Sequence, residues 1–121
     1  MGTHRWKHPA LNEIDLGDIT DQQQGESRDD ATAAKFYLAD AERGDAEAQL
    51  YLAFMLADGT GTPKDAVAAY MRAELAGAHG TPETRRRAAK LQAHLEGALT
   101  AGDIARAKEA ARRWRPKRDS Q

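Results

Sequence analysis

The chain has 121 residues, which favours a single domain. Its 18 Lys and Arg nearly balance its 19 Asp and Glu, and the lack of cysteine excludes a disulfide framework, a thiolate zinc site and a cysteine nucleophile. Alanine fills 25 positions, whereas the sequence holds one valine and three isoleucines. Because alanine favours helices and β-branched residues favour strands, this composition predicts an all-α fold.

Residues 1–30 are predicted to form an extended or flexible N-terminal segment, because their polar stretches have little to bury. This segment lacks the apolar stretch of a signal peptide, and no apolar run in the chain approaches the roughly 20 residues that span a bilayer. We therefore expect a cytoplasmic protein, or a periplasmic or otherwise exported one if a signal peptide has been removed. The segment nevertheless holds large apolar residues, which we expect to dock as an extended strip on the helices or on the partner: Trp6, Leu11, Ile14, Leu16 and Ile19.

Regular helix signals follow this segment. The first predicted helix ends at Gly44, and Asp45 caps a second helix that is apolar on nearly all sides and ends at Gly59. A helix of this kind usually packs between neighbours. In the turn that follows, Gly59 and Gly61 are expected to adopt backbone conformations that other residues resist.

Two further helix starts share the same signal, a threonine followed by proline. Thr62 and Pro63 predict the start of the third helix, and Thr81 and Pro82 predict the start of the fourth. The third helix is expected to end near Gly80.

The fifth helix is predicted to open at a capping box formed by Thr100 and Asp103, and to end before Pro116. Five helices of about three to four turns, joined by short connections, predict antiparallel helical hairpins stacked in a row. The expected architecture is a short α-α superhelix.

An internal repeat supports this architecture. Phe36 and Tyr37 are echoed by Tyr70 and Met71 at a lag of about 34 residues, which suits a helix–turn–helix repeat. On this spacing and its turn chemistry, the block 44–80 resembles a Sel-one-like repeat, a relative of the tetratricopeptide repeat. The matching positions are Ala48, Gln49, Leu52, Gly59, Gly61, Pro63, Lys64, Asp65, Ala69, Ala76 and Gly80.

The resemblance implies a right-handed solenoid of bacterial type within residues 31–116. It places one complete repeat at 45–80, half a repeat before it and closing helices at 81–115, with a C-terminal tail at 117–121. It also implies a non-catalytic adaptor that scaffolds or regulates a partner protein or complex. The sequence departs from the family pattern at Tyr51, where asparagine is common, and at Arg72, where a tryptophan usually packs.

The residues favour neither catalysis nor a cofactor. The Gly59–Gly61 turn lacks the lysine of a phosphate-binding loop, and both serines, Ser27 and Ser120, lie in predicted tails. We therefore predict no enzyme activity, no cofactor and no metal. The four histidines are His4, His8, His79 and His94. His4 and His8 stand four residues apart but in the predicted non-helical N-terminal segment, so no predicted helix carries the paired histidines of a helical zinc site.

Charge is distributed unevenly along the chain. Residues 1–84 carry 7 basic and 15 acidic side chains, whereas residues 85–121 carry 11 basic and 4 acidic ones. In the basic part, Trp114 stands among arginines, an arrangement that suits phosphate contacts and base stacking. The same arginines also suit the negative pole at a helix C-terminus. Nucleic-acid binding, as in a ribonucleoprotein accessory protein, is therefore the alternative to protein binding.

A short stack leaves its ends partly open, so we expect another protein, a subunit of a complex or a second copy to supply the missing burial. Only 18 large apolar residues lie outside the N-terminal segment. Because aromatic and arginine side chains dominate interface energetics, we predict the contact surface from these residue types. The predicted contact residues are Tyr51, Tyr70, Arg72, Arg85, Arg86 and Trp114.

Overall fold

The computed structural model of the chain describes residues 26–117, which form five α-helices joined by short connections. No strand occurs among these residues, so the predicted all-α class with five helices is confirmed. None of the five helices is long and apolar enough to cross a membrane. The helices are α1 (Glu26–Glu42), α2 (Ala46–Asp58), α3 (Ala66–His79), α4 (Pro82–Glu96) and α5 (Ala101–Arg113).

The third helix lies at the centre of the packing. It contacts α2, α4 and α5, while α1 packs on α2, and α2 also contacts α4. Contacts between helices that are consecutive or next but one in the chain are consistent with an α-α superhelix. The last hairpin is less regular, since α5 packs mainly on α3 rather than on α4.

Small residues on α3 allow three other helices to pack against it. Ala69, Ala73 and Ala76 are fully buried, and side chains of this size let neighbouring helices approach closely. On α2 the prediction of a helix packed on most sides is confirmed. Its buried residues are Ala48, Gln49, Leu50, Leu52, Ala53, Phe54 and Met55.

Two helix starts follow the predicted capping chemistry. The Thr81 hydroxyl accepts a hydrogen bond from the Thr84 amide at 3.2 Å, and Pro82 occupies the first turn of α4. At α5, the Thr100 hydroxyl accepts from the Asp103 amide at 3.0 Å, and the Asp103 carboxylate accepts from the Thr100 amide at 3.0 Å. The capping box is therefore confirmed.

The start of α3 differs from the prediction. Asp65, not Thr62, caps this helix, because its carboxylate accepts from the Ala68 amide at 3.0 Å. The Asp65 amide donates to the carbonyl of Leu56 at 2.9 Å, which holds the turn against the end of α2. Residues up to Lys64 therefore belong to the connection, and Pro63 does not open the helix.

The first helix also starts earlier than predicted, at Glu26 rather than near residue 31. Asp29 lies in its first turn, where negative charge is favourable next to the positive helix pole. The added turn includes Asp30, which is only 5% exposed.

The turn between α2 and α3 lies against this added part of α1. Gly59 and Gly61 have φ angles of 75° and 74°, the left-handed conformations predicted for them. A Cβ atom on Gly61 would lie 2.2 Å from the carbonyl oxygen of Asp30. Only glycine allows α1 and the turn to approach this closely.

Candidate functional site

Tyr70 is a core residue, so its prediction as a contact residue is corrected. Its side chain on α3 is 3% exposed, and its hydroxyl donates to Glu96 Oε2 on α4 at 3.1 Å. Burial and the hydrogen bond with the Glu96 carboxylate raise the pKa of Tyr70 to about 12. Tyr70 therefore links α3 to the C-terminal end of α4 and presents no surface to a partner.

Arg72 is also turned inward, into a cluster that we call the Glu42 network: Glu42, Gln49, Arg72 and Lys117. Arg72 Nη2 lies 3.0 Å from Glu42 Oε2, and Arg72 Nη1 donates to Gln49 Oε1 at 3.1 Å. The Lys117 amide donates to the carbonyl of Glu42 at 2.6 Å, and Lys117 Nζ lies 3.6 Å from Glu42 Oε1. The network joins α1, α2, α3 and the segment after α5, which gives Arg72 a structural role.

Two predicted aromatic residues are half-buried. The ring of Tyr51 on α2 lies 5.1 Å from the ring of Tyr37 on α1, with 56° between the ring planes. Burial raises the pKa of both tyrosines above the usual value. Trp114 is half-buried at the end of α5, where its amide donates to the carbonyl of Ala111 at 3.3 Å.

The two remaining predicted residues, Arg85 and Arg86, are exposed near the start of α4. Arg86 Nη2 lies 3.6 Å from Glu83 Oε1, and the Arg86 side chain is 65% exposed. Arg85 forms no ion pair within residues 26–117. Of the six predicted contact residues, these two are the exposed ones.

Arg85 also lines an open groove between α3 and α4, which we call the α3–α4 groove. Its volume is about 360 Å³. Arg85 lies on its α4 side, while Gln92 Nε2 donates to Glu74 Oε1 at 2.7 Å and so connects the two helices. The remaining lining residues are small: Gly77, Ala78, Ala88 and Ala89. Sequence reasoning did not single out Glu74 or Gln92, because nothing in their local pattern marks the pairing of α3 with α4.

Many of the basic side chains on α5 are paired with carboxylates on the same helix. Arg113 Nε lies 2.8 Å from Glu109 Oε2, Arg112 also binds Glu109, and Arg106 binds Asp103. Hydrogen bonds from Thr100 lower the pKa of Asp103 below its usual value, so this carboxylate stays charged. The positive charge predicted for this region is thus partly neutralised within α5 itself.

The described residues also contain two exposed large hydrophobic side chains, both on α1. Phe36 is 66% exposed and Leu38 is 42% exposed. In the sequence, Phe36 is marked only by the internal repeat. The exposure of Phe36 depends on which helices pack against α1, and the local sequence around Phe36 does not indicate this.

Within residues 26–117, no group of three or more histidine, aspartate or glutamate side chains is arranged to hold a metal ion. The predicted docking strip lies outside the described residues: Trp6, Leu11, Ile14, Leu16 and Ile19. The sequence matches no protein-family model, and no curated protein or solved structure is significantly similar to it. The likeness to Sel-one-like repeats therefore stays a prediction.

Proposed function

We propose that this chain is a non-catalytic protein-interaction module that binds an acidic segment of a partner protein along the α3–α4 groove. The observation that carries this proposal is the position of Arg85. Its exposed guanidinium lines a groove between two packed helices and forms no ion pair in the described part of the chain. Arg86 extends the positive charge beside it.

The shape and chemistry of the groove support a protein ligand. Its small lining residues leave room for side chains of a bound segment, and a guanidinium can form two parallel hydrogen bonds with one carboxylate. Arginine is also among the residues that contribute most to binding at protein interfaces. A partner bound here would scaffold or regulate a complex without any chemical step.

Nucleic-acid binding by the basic C-terminal third has weaker support. Arg106 is paired with Asp103, and Arg112 and Arg113 share the single carboxylate of Glu109, so the net positive charge that α5 offers to phosphates is reduced. This alternative predicts oligonucleotide binding that falls steeply as salt rises from low to physiological concentration. Absence of oligonucleotide binding at low salt removes it.

The decisive experiment compares three forms of the full chain as bait in an extract of the source organism. The Arg85→Glu/Arg86→Glu variant reverses the proposed contact charges near the positive pole of α4, where glutamate is compatible with the helix. Lys108→Glu is the matched control, because Lys108 is exposed on α5 and lies outside the groove. Captured proteins are quantified by mass spectrometry.

We expect proteins that are enriched on the wild type and on the control to be lost from the double variant, while all three forms keep the same helical content by circular dichroism. Equal enrichment on all three would contradict a role for the α3–α4 groove.

A further inference from the structure

An exposed stripe runs along the outer side of α1, and we call it the α1 stripe: Asp29, Thr32, Phe36, Asp40 and Arg43. Successive members are three or four residues apart, so the four helical members lie on one side of α1, and Arg43 directly follows the last helical residue, Glu42. All five are exposed, and Phe36 at the centre is 66% exposed. The opposite side of α1, which includes the buried Ala34 and Ala41, faces α2.

The stripe has a symmetry that points to its occupant. Asp29 stands as many positions before Phe36 as Arg43 stands after it, and Thr32 and Asp40 are likewise equidistant from Phe36. If two such helices pair antiparallel with their Phe36 rings opposed, Asp29 of each copy faces Arg43 of the other. A hydroxyl at Thr32 then faces a carboxylate at Asp40.

We propose that the α1 stripe is a self-association surface on which two copies of this chain form an antiparallel, two-fold symmetric helix pair. The two Phe36 rings face each other across the two-fold axis. A two-fold interface uses the same patch on both subunits, and this patch is self-complementary in charge.

The charges also select one orientation. In a parallel pairing, Asp29 would face Asp29 and Arg43 would face Arg43, and like charges across a helix interface are unfavourable. Within one copy, Arg43 Nη1 lies 3.2 Å from Asp40 Oδ1, but both side chains are more than half exposed. A solvated pair of this kind contributes little to stability, so exchanging it for a contact with Asp29 of the second copy costs little.

The expected association is weak. A helix of 17 residues is about 26 Å long, and a pair of such helices buries less than the roughly 1,600 Å² of a standard stable interface. We expect a dissociation constant between about 0.1 and 1 mM. The surface is separate from the α3–α4 groove, so this proposal does not depend on the proposed function.

Sedimentation equilibrium of the full chain tests the proposal. The average mass should rise from that of a 13.2 kDa monomer towards twice that value as the concentration approaches about 1 mM. Asp29→Arg and Arg43→Asp each place like charges opposite one another, and each should weaken association at least about tenfold. The double reversal Asp29→Arg/Arg43→Asp should return the dissociation constant to within about threefold of the wild type.

Two further variants guard the interpretation. Lys108→Glu is an exposed charge reversal away from the stripe and should leave association unchanged. Phe36→Ser removes the apolar centre without touching the stripe charges, and it should weaken association although the monomer stays folded. Circular dichroism of each variant reports whether α1 remains helical.

Three results would overturn the proposal. One is a chain that stays monomeric at about 1 mM, as it would if its own N-terminal segment covered the stripe. Another is association that is unaffected by Phe36→Ser and by both single reversals. The third is weakening by the single reversals that the double reversal does not restore, since this excludes the Asp29–Arg43 pairing.

Discussion

The helices α1 and α3 carry similar residues but use them differently. In α3, Tyr70 and Arg72 face inward and bind carboxylates of other helices, whereas in α1 the ring of Phe36 faces solvent. The difference follows from position, because α3 contacts three of the other described helices, whereas α1 packs mainly on α2 within residues 26–117. An aromatic or arginine side chain is therefore exposed or buried according to which helices pack against its own.

Apart from the buried-ring comparison at Phe54 below, the largest expected effect is at the turn that packs on the inner side of α1. Gly61→Ala places a Cβ against the carbonyl of Asp30 and requires a left-handed backbone from alanine. We expect a loss of about 3 kcal/mol in the free energy of unfolding, measured by urea denaturation. Gly102→Ala in α5 is the matched control, since its Cβ meets nothing closer than 3.8 Å and alanine favours helix. Equal effects of the two changes would show that α1 does not need this close approach.

The next test removes the inward-facing charge of α3. Arg72→Met should lower the free energy of unfolding by about 2 kcal/mol, because Glu42 and Gln49 lose their donor in a partly buried site. Arg86→Met removes an exposed partner of Glu83 and should change stability by less than about 0.5 kcal/mol. Chemical denaturation of both variants decides the matter. If Arg72→Met proves as mild as Arg86→Met, Arg72 is a surface residue after all.

Tyr70→Phe tests the inward-facing side of α3 through the pH dependence of the free energy of unfolding. We expect a loss of about 1 kcal/mol at neutral pH, because the hydrogen bond to Glu96 is removed. The pKa of Tyr70 is raised from 10.0 to about 12, so folding favours the protonated phenol. This contribution is present below pH 10 and is lost as the pH rises from 10 towards 12. Stability measured from pH 8 to 11.5 should therefore fall more steeply for the wild type, and parallel curves would refute the raised pKa.

The smallest effect is expected at the outer side of α1. Phe36→Ser should change the stability of the monomer by less than about 0.5 kcal/mol, because the ring is mostly solvated before and after folding. Phe54→Ala on α2 is the comparison, because the Phe54 ring is buried. Its removal should lower the free energy of unfolding by about 3 to 5 kcal/mol. Thermal and urea unfolding of both variants, at a protein concentration low enough to keep the chain monomeric, measure the difference. A large loss for Phe36→Ser would mean that α1 buries this ring in solution.

Local chemistry made much of the fold predictable. The capping box of Thr100 and Asp103, the cap at Thr81 and the left-handed Gly59 and Gly61 each act within a few residues, so a short stretch of sequence contains the whole signal. The start of α3 was predicted wrongly at Thr62, since Asp65 also binds the carbonyl of Leu56 across the turn.

By itself, the sequence determined the helical class, the number of helices within residues 26–117 and most of their ends, because alanine content, caps and glycines act through local backbone energetics. Tertiary structure alone decided which side chains are buried and which are exposed. It buried Tyr70 and Arg72, exposed Phe36, and placed Arg85 beside the α3–α4 groove. Burial depends on which helices meet, and those contacts join residues that lie far apart in the chain.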